Sequence, residues 1–333
     1  MQRLSMKRTR IAIVLLTGLV CFLGMGCGRK PESGSPKRRI AVIPKGTAHV
    51  FWQTVHAGAE TAGRDLGVDI LWQGPQTETQ RDLQLNIVQD YITARVDGIV
   101  LAPQDAQALV PAINKVAASG IPLVIFDSGA DTEKYVSFVA TDNYRGGVEA
   151  ALKMGELLPT GGRVVVIAVA PGSESTTQRE QGFEDTVRDQ LPDIEVIDKQ
   201  YGYSDRERSR AVTEDLLTKY PDVEGIFGPN ESSTFGALLA LRAQGYAGKK
   251  AFVGFDSSPE LNDALRKREI NALVLQDPFR MGYQAVKALV DSLDGKDVSK
   301  RIDTGVRVIT PENMNKPENA NLLNPDLSVL DEI

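Results

Sequence analysis

Two short apolar runs each end on an aspartate that is followed by a serine. One reads IPLVIFD over 121–127 before Ser128, and the other reads KAFVGFD over 250–256 before Ser257. A carboxylate accepts hydrogen bonds of about 1.5 to 3 kcal/mol, stronger than those to a neutral oxygen. Asp127 and Asp256 would therefore suit a ligand rich in hydroxyl groups. Two alternatives stay open: a glycosidase carboxylate pair and, for Asp256 before SSPE, a helix N-cap.

The ends of the other apolar runs also carry polar and aromatic side chains. They read His49 to Trp52, Ala102-Pro103, Asp142-Asn143, Pro171 to Thr177, Asn230 and Gln276-Asp277. Planar amides and carboxylates can bond to adjacent hydroxyls, while aromatic rings cover C–H faces. For Phe51 and Trp52, the alternative is a packing contact in the first turn of a helix.

The elements that must position these residues alternate between strand and helix. Strands are predicted at 40–45, 68–73, 97–103, 121–127, 136–142, 162–170, 194–201, 224–230, 250–256 and 271–277. Helical periodicity fills the gaps, for example at 51–66, 78–94, 206–219, 233–244 and 279–293. Nearly continuous apolar strands alternating with helices are typical of parallel sheets covered on both faces. Ten strands in 333 residues favour two doubly wound α/β sheets over one. Ligands of such sheets bind beyond the carboxyl ends of the strands.

Composition argues against several classes of protein. The net charge is −6 and no basic cluster occurs outside the N-terminus, which disfavours a nucleic-acid partner. Both cysteines, Cys21 and Cys27, lie in the first 27 residues, so the rest of the chain has no thiol chemistry. The two histidines, His49 and His56, have no metal-ligand spacing. The sequence contains neither G-x-G-x-x-G, the glycine motif of dinucleotide-binding enzymes, nor G-x-x-x-x-G-K followed by Ser or Thr, the motif of nucleotide hydrolases. No cofactor or metal is expected.

The N-terminus has the features of an export signal. Arg3, Lys7, Arg8 and Arg10 precede an apolar stretch at 11–23 that is too short for a full membrane span. Gly26-Cys27 resembles the processing site of bacterial lipoproteins, which implies a lipidated Cys27 at the end of a signal peptide over 1–27. The alternative is a plain secreted protein. Residues 28–38 are predicted to be a flexible linker.

Several motifs together resemble the ribose-binding-protein group of periplasmic sugar-binding proteins of ABC transporters, over about residues 38 to 310. In order they are VFWQTVHAGAETAGRDLGVDI, DGIVLAPQDAQALVPAINKVAASGIPLVIFDS, TDNYRGG, REQGF, PDVEGIFGPNESSTFGAL, FVGFDSSPE and VLQDPFRMGYQAVKAL. The resemblance implies the type I periplasmic binding protein fold: two Rossmann-like lobes joined by a three-segment hinge. The lobes would be 38–141 plus 277–302 and 142–276 plus 303–333.

The resemblance also implies roles for individual residues. Phe51 and Trp52 would stack on a sugar beside His49, which stands where the ribose binder has Asn. The remaining matched ligand positions would be Asp127, Arg179, Asn230, Asp256 and Gln276, with Tyr203 as a second stacking face; for Arg179 the alternative is a structural salt bridge. Ser128 and Thr177 stand where the ribose binder has arginines. Ribose specificity therefore does not transfer.

The sequence thus predicts an exported, lipid-anchored, monomeric solute-binding protein, located in the periplasm or on the outer cell surface. It would capture a small neutral sugar or polyol between its lobes and deliver it to an ABC permease. A receptor for a sugar-like autoinducer would use the same cleft and is the nearest alternative. A glycoside-acting enzyme is a distant one, because acids on hinged lobes suit capture and release better than a fixed catalytic spacing. A repressor of the lactose-repressor type would need a DNA-binding helix-turn-helix where this chain has its signal.

Overall fold

The chain forms two six-stranded sheets. The structure is a computed structural model that describes residues 36–333, so the predicted signal peptide, Cys27 and most of the predicted linker lie outside the described residues. In chain order the elements are β1 (Arg39–Ile43), α1 (Val50–Leu66), β2 (Asp69–Trp72), α2 (Arg81–Thr93), β3 (Gly98–Leu101), α3 (Val110–Ala118), β4 (Leu123–Phe126), β5 (Ser137–Ala140), α4 (Asn143–Leu157), β6 (Gly162–Ala168), α5 (Glu174–Gln190), β7 (Ile194–Tyr201), α6 (Arg206–Lys219), β8 (Gly225–Phe227), α7 (Glu231–Ala243), β9 (Ala251–Phe255), α8 (Pro259–Arg266), β10 (Ala272–Leu275), α9 (Pro278–Leu293), β11 (Arg301–Asp303), β12 (Arg307–Ile309) and α10 (Ala320–Leu323), with 3-10 turns at Pro317–Asn319 and Ser328–Glu332.

The two sheets have matching strand orders. The first is β11-β5-β4-β3-β1-β2 and the second is β12-β10-β9-β8-β6-β7. Every pairing is parallel except that of β12 with β10. We call the first sheet with α1, α2, α3 and α9 the first lobe, and the second sheet with α4 to α8 and α10 the second lobe. The predicted pair of doubly wound α/β sheets is confirmed.

The chain passes between the lobes in three short connections, at 140–143, 275–278 and 303–307. The third differs from the sequence-based boundary of 302/303, because Asp303 still pairs with Ala140 in the first sheet. The ten predicted strands correspond to β1 to β10. β11 and β12 were not predicted, since each has only three residues and neither forms a long apolar run.

Each sheet is buried on both faces. Along β1, Ile40 and Val42 pack into one apolar cluster, while Ala41 and Ile43 pack into the cluster on the opposite face. The second lobe repeats this pattern at β9, where Phe252 and Val253 enter different clusters. Parallel strands covered by helices on both sides therefore account for the continuous apolar runs in the sequence.

Helix pairs next to the interlobe region pack with almost no space between them. A Cβ atom at Gly147 would lie 2.0 Å from the carbonyl oxygen of Arg179, and one at Gly182 would lie 2.1 Å from that of Tyr144. Only glycine permits this approach of α4 to α5. The contact fixes the position of α5, which begins after Ser173 and carries Ser175 and Arg179.

Candidate functional site

Asp127 and Asp256 occupy equivalent backbone positions in the two lobes. Each follows a central strand and has a left-handed backbone, with φ of 60° and 65°. Each donates its N–H to the neighbouring strand, to Val139 O and Val274 O, both at 3.0 Å. Aspartate tolerates this conformation better than most residues. The chain therefore leaves both sheets in the same way, and both carboxylates are buried, at 3% and 7% exposure.

Asp127 is paired with Lys45, which sequence reasoning missed. Lys45 lies two residues after β1, is 2% exposed, and places Nζ 3.1 Å from Asp127 Oδ2. Nζ also donates to Ser173 Oγ at 3.2 Å and to Ser175 Oγ at 2.9 Å. Both serines belong to the second lobe, so one ammonium group bonds to both lobes. The lysine at the end of the apolar run IAVIPK could have indicated this pair, because burying a cation at the end of a strand is costly unless the cation has a partner.

Asp256 has only neutral hydrogen-bond partners. Gln276 Nε2 donates to Oδ1 at 2.8 Å, and the backbone N–H of Glu231 donates to Oδ2 at 3.1 Å. Burial raises the pKa of the Asp256 carboxyl to about 6, against the opposing attraction of the Arg179 cation. The cap of α8 is Ser258, which accepts from Leu261 N at 3.2 Å, so the N-cap alternative for Asp256 is wrong.

Arg179 is held by neutral oxygens. Its Nε donates to Asn143 Oδ1 and one Nη donates to Pro229 O, both at 2.9 Å, and its guanidinium lies 4.1 Å above the Phe255 ring. Among the described residues it forms no ion pair within 4 Å, which argues against the salt-bridge alternative. The side chain is 2% exposed and lines the cleft.

Two side-chain amides line the cleft. Asn230 belongs to the second lobe, and Gln276 lies in the interlobe connection at 275–278. Asn230 Oδ1 caps α7 by accepting from Ser233 N at 2.9 Å, and its Nδ2 donates to Ser204 Oγ at 3.0 Å. Gln276 Oε1 is buried and has no hydrogen-bond partner within the described part of the chain. A buried acceptor without a partner is costly, so this oxygen is suited to a donor supplied by a ligand.

The aromatic wall comes from the first turn of α1. The rings of Phe51 and Trp52 meet edge to face at a centroid distance of 4.9 Å, and Trp52 also contacts Phe126 edge to face at 6.2 Å. Trp52 Nε1 donates to Glu78 Oε1 at 2.8 Å. Both rings line the cleft and pack into the first-lobe core. The binding and packing interpretations of these residues are therefore compatible.

His49 lies opposite the second lobe at the start of α1. Its Nε2 is 3.2 Å from Ser232 Oγ, and its Nδ1 is 3.6 Å from Glu78 Oε1 and 3.9 Å from Glu231 Oε2. As the N-cap residue of α1 it makes no side-chain capping bond. The imidazole is thus directed across the cleft.

One cleft gathers most of the predicted site residues. It is lined by Lys45, His49, Phe51, Trp52, Glu78, Asp127, Ser175, Thr176, Arg179, Asn230, Glu231, Asp256 and Gln276. The space between them is about 320 Å³ when the open mouth of the cleft is counted. Five of these residues were not among the individual site residues predicted from the sequence: Lys45, Glu78, Ser175, Thr176 and Glu231.

Three predicted residues lie elsewhere. Thr177 is exposed on α5; Ser175 and Thr176 face the cleft instead, because they share a helix face with Arg179 at spacings of four and three residues. Tyr203 is outside the lining residues, and its ring packs 3.9 Å from the Arg208 guanidinium. Ser128 is fully buried behind the cleft.

The lobes meet through backbone and side-chain contacts beside Asp127. Ser128 Oγ accepts from Ser175 N at 3.1 Å, and Gly129 N donates to Glu174 Oε2 at 2.8 Å. Burial raises the pKa of the Glu174 carboxyl. Ser128 thereby satisfies the backbone N–H of Ser175, one of the first-turn N–H groups of α5 that have no partner within the helix.

Two features of other protein classes are absent from residues 36–333. In that range no helix is long and apolar enough to cross a membrane. The same range contains no cluster of three or more His, Cys, Asp or Glu side chains that could hold a metal ion.

Comparison with known proteins gives consistent matches. The model of the periplasmic binding protein domain matches residues 40–297. The ribose import binding protein of Bacillus subtilis is 29% identical over 308 residues, which cover 90% of this chain and 98% of that protein.

Solved structures are similar over nearly their full length. A carbohydrate transporter solute-binding protein from Agrobacterium radiobacter, in complex with D-arabinose, has a TM-score of 0.84 at 33% identity, over 86% of this chain and 99% of that one. An ABC transporter solute-binding protein from Agrobacterium vitis with bound D-fucose has a TM-score of 0.83 at 36% identity, with the same coverage of 86% and 99%.

Proposed function

The chain belongs to the periplasmic binding protein family, and from that premise we propose that it captures a small neutral sugar or polyol between its lobes and delivers it to an ABC importer. The observation that carries the proposal is that Asp127 of the first lobe and Asp256 of the second line one cleft together with Trp52. Carboxylates on both sides accept from hydroxyl groups, while the indole ring covers a C–H face.

The hydrogen-bonding groups left free in the cleft favour a ligand that donates. Asp127 Oδ1 and Gln276 Oε1 have no partner among residues 36–333. The lining contains four carboxylates, of Glu78, Asp127, Glu231 and Asp256, against the two permanently charged cations of Lys45 and Arg179 and the imidazole of His49. A sugar acid or sugar phosphate would meet net repulsion there, whereas a neutral polyhydroxyl compound supplies the missing donors.

The ligand class is narrowed by the relatives. Similar solved proteins hold D-arabinose and D-fucose, and the curated relatives include a ribose import binding protein. Here Ser128 turns to the second lobe, and the cation beside Asp127 is the ammonium of Lys45. We infer a monosaccharide of five or six carbons, held by a different charge arrangement from that of the ribose binders.

Binding in this arrangement selects the closed form. A sugar that bonds to both Asp127 and Asp256 has more contacts when the lobes are together, so it shifts the population toward closure. The three connections at 140–143, 275–278 and 303–307 serve as the hinge. The relatives are sugar-binding transport proteins rather than enzymes, and no covalent step is required of the two acids.

Members of the family act in the periplasm or outside the cell. We further propose that this protein is held at the membrane by a lipid anchor. The basic stretch, short apolar stretch and Gly26-Cys27 support a lipidated Cys27, with residues 28–38 as a tether and the protein as a monomer. Fractionation of cells that express Cys27→Ser tests this point: the variant should leave the membrane fraction, and retention there would contradict lipid anchoring.

A thermal-shift screen of pentoses, hexoses, deoxysugars and polyols tests the function. A sugar at one hundred times its Kd should stabilise the protein by about 2.7 kcal/mol and raise its Tm. Glucuronate and ribose 5-phosphate serve as anionic controls and should give no shift. The proposal would be overturned if no sugar or polyol shifts the Tm while amino acids or purines do.

A further inference from the structure

Lys45 is a buried ammonium group that neither the sequence motifs nor the family resemblance identified. A buried ammonium needs full compensation for its lost hydration. Its charge is paired with the Asp127 carboxylate in the first lobe, and it donates hydrogen bonds to Ser173 and Ser175 in the second. The protein alone therefore satisfies it, but only while the lobes are together.

The backbone at Lys45 is held firmly in the first lobe. Gln104 Nε2 donates to the Lys45 carbonyl, and Gln84 Nε2 donates to Pro44 O at 3.0 Å and to Ala102 O at 2.8 Å. These buried glutamines tie the ends of β1 and β3 to each other. The ammonium thus stays with the first lobe when the hinge moves.

The same ammonium sets the orientation of Asp127. Lys45 pairs with Oδ2, and Oδ1 of this cleft-lining side chain has no hydrogen-bond partner among residues 36–333. Separating the lobes would remove the bonds to Ser173 and Ser175 and leave Asp127 as the remaining partner of the ammonium in the first lobe. The Lys45 ammonium therefore takes part both in orienting the Asp127 carboxylate and in holding the two lobes in contact.

We propose that Lys45 is a positioning residue that couples sugar capture to lobe closure. It orients the carboxylate that accepts from the sugar, and its bonds to Ser173 and Ser175 hold the closed form. This inference rests on the proposed function and goes beyond it, because it assigns the closure energy to residues that need not touch the sugar. Ser173 is the most useful of them for a test, since it is not among the cleft-lining residues. Its Oγ also accepts from Thr176 Oγ1 at 3.0 Å within the second lobe.

The test measures sugar association and dissociation rate constants by stopped-flow fluorescence of Trp52, which lines the cleft. The probe is whichever of D-ribose, D-arabinose, D-allose and D-fucose binds the wild-type protein most tightly. Ser173→Ala should raise the dissociation rate constant about tenfold and leave association unchanged, because the Ser173 hydroxyl reaches Lys45 only after closure.

Ser137→Ala is the matched control. Ser137 is also a fully buried serine, but its Oγ donates to Ser299 O at 2.7 Å within the first lobe. It should leave both rate constants unchanged. If Ser173→Ala behaves like Ser137→Ala, the coupling role is wrong. If the wild-type protein binds none of the four sugars and nothing in the wider screen, the proposed function fails instead.

A double-mutant cycle gives an independent check. In the Lys45→Met background, Ser173→Ala should have no further effect on dissociation, and the order of preference among the four sugars should be unchanged. Additive effects would overturn the coupling. A changed sugar preference with a wild-type dissociation rate would show that Lys45 contacts the sugar directly. If Lys45→Met does not fold, the comparison of Ser173→Ala with Ser137→Ala still decides the question.

Discussion

Each lobe places an aspartate at the same backbone position, but the groups around the two carboxylates differ in charge. Asp127 and Asp256 share a left-handed φ, a hydrogen bond to the next strand and a following serine. Asp127 is paired with the Lys45 ammonium, whereas Asp256 is held by Gln276 and a backbone N–H. The repeated fold fixes where a carboxylate can meet a ligand, and the neighbours decide what it costs to keep it ionised.

The following serines extend the contrast. Ser128 Oγ accepts from Ser175 N in the opposite lobe. Ser257 Oγ donates instead to Leu322 O, in the C-terminal segment of its own lobe. The first position is therefore tied to closure, and the second is tied to the tail behind the cleft. Because Asp127 is paired with a cation and Asp256 is not, we expect equivalent substitutions at the two aspartates to have unequal effects on stability.

The largest expected effect comes from neutralising Asp127. Asp127→Asn leaves the buried Lys45 ammonium without its counter-ion, so we expect the free energy of unfolding to fall by about 3 kcal/mol or more. Asp256→Asn removes a carboxylate whose burial already disfavours its charge, so it should raise the free energy of unfolding at pH 7. Both should weaken sugar binding by roughly tenfold or more.

Urea denaturation of the two variants without sugar makes this comparison directly. Lys45→Met/Asp127→Asn is the matched control, because removing both charges should recover much of the stability that Asp127→Asn loses. Equal destabilisation by Asp127→Asn and Asp256→Asn would contradict the assignment of different environments.

The second prediction concerns pH. The pKa of Asp256 is raised from 3.8 to about 6, so between these values the folded protein binds more protons than the unfolded chain. Stability contributed at this position is present below pH 4 and is lost as pH rises through about 6, by on the order of 2 to 3 kcal/mol. Asp256→Asn should lack this loss.

The difference between wild type and Asp256→Asn isolates this one group. Burial also raises the pKa of Glu180, to about 7, but that residue is present in both proteins. Unfolding free energies measured from pH 4 to 7 should therefore converge at low pH and diverge at high pH, with the variant more stable at pH 7. Parallel curves would show that Asp256 titrates as an ordinary surface carboxylate.

The fold was predictable because its signal is carried by long apolar runs. The inner strands β1, β3, β4, β6 and β8 to β10 are almost wholly buried, and such apolar runs stand out in the sequence. The third connection was placed slightly too early because β11 is three residues long and half-exposed, so its pairing depends on β5 and not on its own pattern.

Site residues that directly follow a strand could be predicted from the sequence. Site residues on a helix were harder to predict, because the rotation of the helix determines which side chains face the cleft. Asp127, Asp256, Asn230 and Gln276 follow strands, and the structure brings them to one cleft. Thr177 was chosen over Thr176 by alignment of position, but helix phase with Arg179 turns Thr176 inward. Lys45 could not be weighed from sequence, because its importance comes from partners more than 80 residues away.

The smallest expected effect concerns the C-terminal segment 320–332, which touches both lobes. In the second lobe Leu323 is buried, and Asn262 Nδ2 donates to its carbonyl at 2.6 Å. In the first lobe the Arg64 guanidinium at the end of α1 donates to Val329 O at 3.0 Å and pairs with Glu332 at 2.7 Å. This makes the segment a fourth link between the lobes, on the side where Ser257 holds it.

Ending the chain at Asn324 should keep the Leu323 anchor and remove the link to Arg64. Because the Arg64 contacts are exposed, they contribute at most about 1 kcal/mol, and we expect sugar affinity to change by no more than about fivefold. Arg64→Ala should reproduce most of that change, as measured by titration calorimetry at equal salt. A loss of affinity as large as that of Asp127→Asn would mean that the tail, and not the group of residues around Lys45, holds the lobes together.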